Sequence, residues 1–312
     1  MLKSGKILRA MTSDGSARVL VTDTTAIVER ARELHALSPM GTVVLGRVLT
    51  ATSLIGSLMA EKTESVTLGI QGDGPAGKLL AVSDYYGNVR GYMEHPQVEL
   101  TLKPNGHPDV GAAVGQGILY MAHDTGTGEP QTGMIDLKTG EIAEDIAAYY
   151  AESEQIPTVL SLGVLLDGEA HTRVAGGVLI QLLPFADEKT VGQLEENAAH
   201  LGNITGMLAE GKTLFDLMNL ALDKIPYDLY DEITTDYLCT CSRERMKRGI
   251  CSLGRKQVLD LLDEEEKEGR ARCLTAECRF CETKYSFTEE ELLSGISEIS
   301  KKTEETEEKD GN

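Results

Sequence analysis

Apolar residues near the N-terminus come in short runs broken by turn residues. Ile7 to Met11 and Ala17 to Thr22 flank Ser13, Asp14 and Gly15, which predicts a hairpin with a turn glycine. Thr24 or Thr25 can cap a helix running to Leu37, with Ser38 and Pro39 as its stop. The most apolar stretch, Thr42 to Ala60, approaches the length of a membrane span. It carries Arg47 and small residues at Gly46, Ala51, Ser53, Gly56 and Ser57, so it reads as a closely packed core helix. Short β-like runs follow at Ser65 to Gln71, Lys78 to Ser83, Asn88 to Glu94 and Gly117 to His123. A helical pattern from Glu141 to Glu154 precedes the apolar runs Ile156 to Leu166 and Thr172 to Leu183. Strand and helix runs segregate, so the expected class is α+β with antiparallel-rich sheets, not a doubly wound fold.

Gly72, Gly74 and Gly77 match GxGxxG. A dinucleotide site needs a helix to begin at that loop, whereas Lys78 to Val82 reads as another strand and Pro75 suits a turn. A hairpin connection is expected.

Beyond Pro184 the period lengthens. Val191, Leu194, Ala198, Leu201, Ile204 and Leu208 recur at three- and four-residue steps, Gly211 interrupts, and Leu214, Leu217, Met218, Ala221 and Leu222 resume. These positions predict amphipathic helices over Asp187 to Asp223 joined by a break. Their apolar face either packs permanently on a core or does so conditionally, and periodicity does not separate the two. Further on, Ser242 to Gly249 and Arg255 to Glu268 read as helices, with Gly269 as terminator. Thr288 and Glu291 form a capping box ahead of Leu292, Leu293 and Ile296.

Composition changes the picture in one respect. The formal net charge of −20 opposes nucleic-acid binding unless a local basic patch overcomes it. The candidate patch, Arg243, Arg245, Lys247, Arg248, Arg255 and Lys256, reads as a solvated helix face. MLKSGKILRAMTSDG lacks an apolar h-region, so no secretory signal is expected and a reducing cytoplasm is the default compartment. His35, His95, His107, His123, His171 and His200 are scattered and accompany no nucleophile motif, so no catalytic residues are assigned and the chain is not expected to be an enzyme.

All six cysteines lie between Cys239 and Cys281. A CxC pair (Cys239, Cys241) and a CxxC pair (Cys278, Cys281) can fold back so that thiolates converge in the tetrahedral sulfur shell that Zn²⁺ prefers. A module of about sixty residues is marginal on its apolar core alone, and zinc binding worth about 10–16 kcal/mol can hold it together. The same thiolates can be oxidised, so the site is either a redox switch or an inert structural centre. A dithiol oxidoreductase is not expected, because the CxxC lacks a βαβ context. Cys251 and Cys273 can be spare ligands, resolving thiols or small buried residues, burial being favoured for Cys251 beside Ile250 and Leu253.

YLCTCSRERMKRGICSLG at Tyr237 to Gly254, AECRFCETKYSFTEEEL at Ala276 to Leu292, and ESEQIPTVLSLGVLL with AGGVLIQLLPFA upstream give the chain a resemblance. Over essentially its whole length it resembles the redox-regulated 33-kDa heat-shock chaperonin family, an oxidation-activated holdase. The resemblance implies an N-terminal core over 1–184, an amphipathic helical linker over 185–235 and a small zinc-binding domain over 236–298. A disordered acidic tail is expected over 299–312. It implies Cys239, Cys241, Cys278 and Cys281 as ligands of one Zn²⁺ per chain. Reduced, zinc-loaded protein is then inactive. Oxidation is expected to form the disulfides Cys239–Cys241 and Cys278–Cys281, release the metal, destabilise the linker and expose a surface that holds unfolding or oxidatively damaged proteins without ATP. The implied partners are such clients and a second copy of the chain when active, with no nucleic acid and no membrane. Cys251 and Cys273 depart from the family's four-cysteine pattern and leave the disulfide pairing open. The competing readings are a structural zinc module on a nucleic-acid-binding protein or on an enzyme.

Overall fold

The computed structural model describes residues 4–297. The tail expected over 299–312 lies outside the described residues. The chain divides into two units, Met1–Leu238 and Cys239–Asn312.

In the first unit, β1 (Gly5–Thr12) and β2 (Ala17–Asp23) form the predicted hairpin. α1 (Thr25–Leu34) follows, but the Thr24 side chain makes no capping bond, and the Asp23 carboxylate accepts from the Thr25 amide instead. Ser38 and Pro39 were expected to stop this helix; they start the next one. In α2 (Pro39–Gly56) Pro39 occupies the first turn, where its missing N–H costs nothing, and the Ser38 hydroxyl accepts from the Gly41 amide at 3.1 Å. By length and composition α2 is apolar enough to cross a membrane, yet 89% of it is buried inside the protein. It is the expected core helix. Its charge, Arg47, is met by Glu141 at 2.9 Å, which also pairs with Lys103.

The remaining elements wrap α2. β3 (Ser65–Gly72), β4 (Lys78–Asp84), β5 (Val89–Met93), β6 (Gly117–Asp124) and β7 (Gln131–Asp136) make an antiparallel sheet of order β5-β4-β3-β6-β7. The glycine loop joins β3 to β4 as a hairpin, and the amides of Asp73, Gly74 and Ala76 are spent on carbonyls of Gln116, Val114 and Ala113. α3 (Val110–Val114) and α4 (Ala143–Tyr149) flank this sheet, and α4 runs on into a wider π-helical turn at Tyr150–Glu154. β8 (Thr158–Leu166) and β9 (Thr172–Leu182) join the first hairpin in a second antiparallel sheet of order β10-β1-β2-β9-β8, whose last member, β10, is Tyr227–Thr235. The α+β class with antiparallel sheets is therefore what the sequence predicts.

The face of the β1-β2-β9 sheet directed away from α2 is covered by α5 (Glu188–Ala198), a 3₁₀ turn (Ala199–Asn203), α6 (Ile204–Ala209) and α7 (Leu214–Ala221). Leu194, Leu201, Ile204, Leu217, Met218 and Leu222 are buried in one cluster with Leu8, Val19, Val21, Val178 and Ile180. The break falls where expected, at Gly211, whose φ of +90° only glycine adopts without strain. The segment expected to be helical to residue 235 instead ends in β10. Most of this strand is exposed, so its sequence, YDLYDEITT, lacks the apolar alternation that marks a strand.

The second unit holds α8 (Arg243–Cys251), α9 (Gly254–Lys267), the hairpin β11 (Cys273–Glu277) and β12 (Lys284–Thr288), and α10 over 289–297. Ser242 caps α8 through the Arg245 amide. Gly269, at φ +76°, follows α9 as predicted. Thr288 and Glu291 exchange the bonds of a capping box at 2.9 and 3.4 Å. Its apolar cluster is small: Cys251, Val258, Leu262, Phe287 and Leu292 are its buried members.

Candidate metal centre

Cys239 and Cys241 lie just ahead of α8, where the Ser242 cap fixes the direction of the incoming chain. Cys278 and Cys281 sit in the turn between β11 and β12. The Cys278 amide donates to the Thr283 carbonyl at 3.0 Å, and the amides of Cys281 and Glu282 both donate back to the Cys278 carbonyl. Glu282 adopts φ +56°, so the chain curls tightly around the second pair.

The four sulfurs meet. All lie within 4.8 Å of one another, with Cys239 Sγ 3.7 Å from Cys278 Sγ and Cys241 Sγ 3.4 Å from Cys281 Sγ. All six cysteines are free thiols. A Zn–S bond of about 2.3 Å implies sulfur separations of about 3.8 Å in a tetrahedron, so this donor set fits a four-coordinate ion. A set of four thiolates is the chemistry of zinc or of iron–sulfur centres. Cys278 is buried and the other three are half-buried, so the group is packed yet open to small molecules.

Its electrostatics are uneven. Burial pushes the thiols of Cys239 and Cys278 up. Burial also acts to raise Cys281, but the Thr283 hydroxyl and amide, with the neighbouring sulfurs, outweigh it and bring Cys281 down to about 7. The Tyr285 hydroxyl lies 3.2 Å from Cys241 Sγ and is pushed up to about 12 by that contact and by burial. Tyr285 and Thr283 escaped the sequence reading. They sit on or beside β12, whose pairing of Tyr285 with Ala276 turns the ring toward the sulfurs, and no spacing rule marks a hydroxyl as a sulfur's partner.

Cys251 and Cys273 stand outside the group. Cys251 is buried and donates to the Leu292 carbonyl at 3.4 Å, the burial favoured for it; Cys273 is half-buried on β11 opposite Thr288. The basic run spans α8 and the start of α9 and is largely exposed, with Arg243 paired to Glu291 at 2.7 Å and stacked 4.5 Å over the Phe287 ring.

The family model described as "Hsp33 protein" matches residues 5–288. The 33 kDa chaperonin of Clostridioides difficile is 42% identical over 294 residues, covering 94% of this chain and 99% of that one. That of Acetivibrio thermocellus is 40% identical over 287 residues, covering 92% and 95%. The crystal structure of the 33 kDa chaperonin of Thermotoga maritima superposes with a TM-score of 0.84 at 33% identity, covering 96% of this chain and 99% of that one.

Proposed function

Since the chain belongs to the Hsp33 family, we propose that it is an ATP-independent holdase kept latent by a zinc–thiolate centre and activated by oxidation. The observation that carries this reading is the convergence of Cys239, Cys241, Cys278 and Cys281, the only group of potential ligands of its kind among the described residues. Zinc, when bound, supplies the cross-link that a small apolar cluster cannot replace. Two thiolates, one hydrogen peroxide and two protons give one disulfide and two waters, so two equivalents of peroxide oxidise all four ligands. Sulfurs joined in the pairs Cys239–Cys241 and Cys278–Cys281 no longer offer thiolates to an ion, and the second unit loses its cross-link.

The client surface in this reading is the apolar face of α5, α6 and α7, now buried on the β1-β2-β9 sheet. Large exposed apolar patches bind unfolded chains. The clients are unfolding or oxidatively damaged proteins, the active form pairs with a second copy, and neither nucleic acid nor membrane takes part. A cytoplasmic setting follows from the need for reduced thiols at rest.

One titration tests the scheme. Peroxide is added to reduced protein while zinc release, far-UV circular dichroism and light scattering by a denatured test protein are followed together. Zinc release with loss of helix and suppression of scattering is expected. Zinc release without any suppression leaves an inert structural centre, and the switch is then wrong.

A further inference from the structure

A cavity of about 390 Å³ opens in the first unit where the end of α2 meets β3, β6, β7 and the π-helical turn after α4. Ile55, Leu58, Met59, Val66 and Met121 make one wall apolar, while Gln131, Thr132, Tyr149 and Ser153 bring polar groups to the other. Arg18 lies within it, and its position is unusual. It stands two residues from Leu20 on β2, hence on the face of the sheet that carries the main core. Its Nε donates to Gln181 Oε1 at 2.9 Å, a neutral and fully buried partner, and among the described residues no carboxylate forms an ion pair with it. A cation facing a core without a counter-charge is costly, and a fold that keeps one gains something else from it.

Other features of the cavity point the same way. His123 Nε2 is buried in its lining without a hydrogen-bond partner, 3.4 Å from the Glu64 carboxylate. The rim is the π-helical turn, ended by Gln155 at φ +58°, and such turns concentrate at functional sites. Glu154 stands on that rim, but it is exposed and accepts from the Tyr149 hydroxyl at 3.0 Å, which leaves Arg18 inside as the unmatched charge.

We propose that this cavity binds a small monocarboxylate with a short apolar tail, the carboxylate held by the Arg18 guanidinium and the tail by the Ile55–Met121 wall. The guanidinium fork matches a carboxylate through paired N–H bonds, and the volume is that of a small-molecule site. Phosphate carries a second charge for which the lining offers no cation besides Arg18 outside the His123–Glu64 pair, and Glu154 stands on the rim, so phosphate is not the expected occupant.

The test uses reduced, full-length protein with ¹³C-labelled methionine methyls, titrated separately with hexanoate, 1-hexanol and inorganic phosphate. The expected result is saturable shifts of the Met59 and Met121 methyls with hexanoate at a dissociation constant of about 1 mM or below, with no shift of the exposed Met134. Hexanol is expected to bind at least tenfold more weakly, and phosphate not at all. Arg18→Met should bring hexanoate to the level of hexanol. Absence of saturable shifts at Met59 and Met121, equal binding of hexanoate and hexanol, or an unchanged Arg18→Met variant each overturns the proposal. The comparison of hexanoate with hexanol on the unmodified chain decides the matter even if the variant does not fold.

Discussion

Leu217→Ala tests whether the helices over 188–221 are held by packing on the β1-β2-β9 sheet. Leu217 is 1% exposed and sits in the cluster that includes Leu8, Val19 and Ile180. Truncating such a side chain costs about 2–5 kcal/mol, because the lost burial is joined by the cavity left behind. A segment closed by about 4 kcal/mol, a common free energy for sub-global opening, is open in about 0.1% of molecules. The substitution raises that to about 3% at the low end and to most molecules at the high end. The assay is hydrogen exchange across 188–222 in reduced, metal-loaded protein, with light scattering of a denatured test protein alongside. Exchange should accelerate and scattering should fall without oxidant. Phe215→Ala, on the same helix but 47% exposed, should change stability by no more than about 0.5 kcal/mol. Unchanged exchange in Leu217→Ala would refute the packing argument. Faster exchange with no effect on scattering would refute the assignment of this face to clients.

Cys251→Ser combined with Cys273→Ser should still bind one zinc per chain, since neither thiol belongs to the group of four; metal analysis showing an empty double variant would overturn the ligand set. Tyr285→Phe removes the hydroxyl beside Cys241 and should weaken zinc about 10- to 100-fold in chelator competition, with faster release under peroxide, because a thiolate without that bond is more nucleophilic; unchanged competition would remove the hydroxyl from the centre's chemistry. Glu29 ties α1 to the β8–β9 hairpin: hydrogen bonds from Arg32, then the Thr172 amide and His171, outweigh burial and hold its carboxyl well below the usual range. A depressed folded-state pKa stabilises above the unfolded value near 4.5 and is lost as pH falls through the folded one. Glu29→Gln should therefore destabilise the first unit by about 2–3 kcal/mol at pH 7, with the gap to the unmodified chain closing in acid; a gap independent of pH in denaturant titrations would contradict this.

The parts that sequence reveals are those in which burial writes a period or chemistry writes a spacing. α2 and the β1–β2 hairpin are apolar because they are inside, and Leu194, Leu201, Leu217 and Met218 repeat helically because one face is covered. The cysteine pairs are visible because a tetrahedral sulfur shell demands short chelating spacings. β7 and β10 escape for the opposite reason: they are edge strands with mostly exposed residues, held by backbone bonds that leave no mark on side-chain type. Ser38 and Pro39 misled because the same residues end one helix and begin another, and only the Ser38 bond to Gly41 tells which. The cavity around Arg18 is brought together from β2, α2, β6 and the turn after α4, a juxtaposition that only the fold creates.

The proposed switch requires burial to be distributed unevenly between the two units, and it is. The first unit packs two sheets around a helix that is 89% buried, an interior that owes nothing to the cysteines. Among the described residues the second has an apolar cluster with only five buried members, Cys251, Val258, Leu262, Phe287 and Leu292. At about 1.5–3 kcal/mol each they contribute about 7–15 kcal/mol of gross burial. A thiolate-bound zinc contributes about 10–16 kcal/mol, so in the proposed mechanism its loss removes about half of what favours the folded second unit. The same loss takes nothing from the core around α2. In the proposed mechanism, oxidation of the four sulfurs thus melts one unit and leaves a folded platform from which the α5–α7 face is displayed.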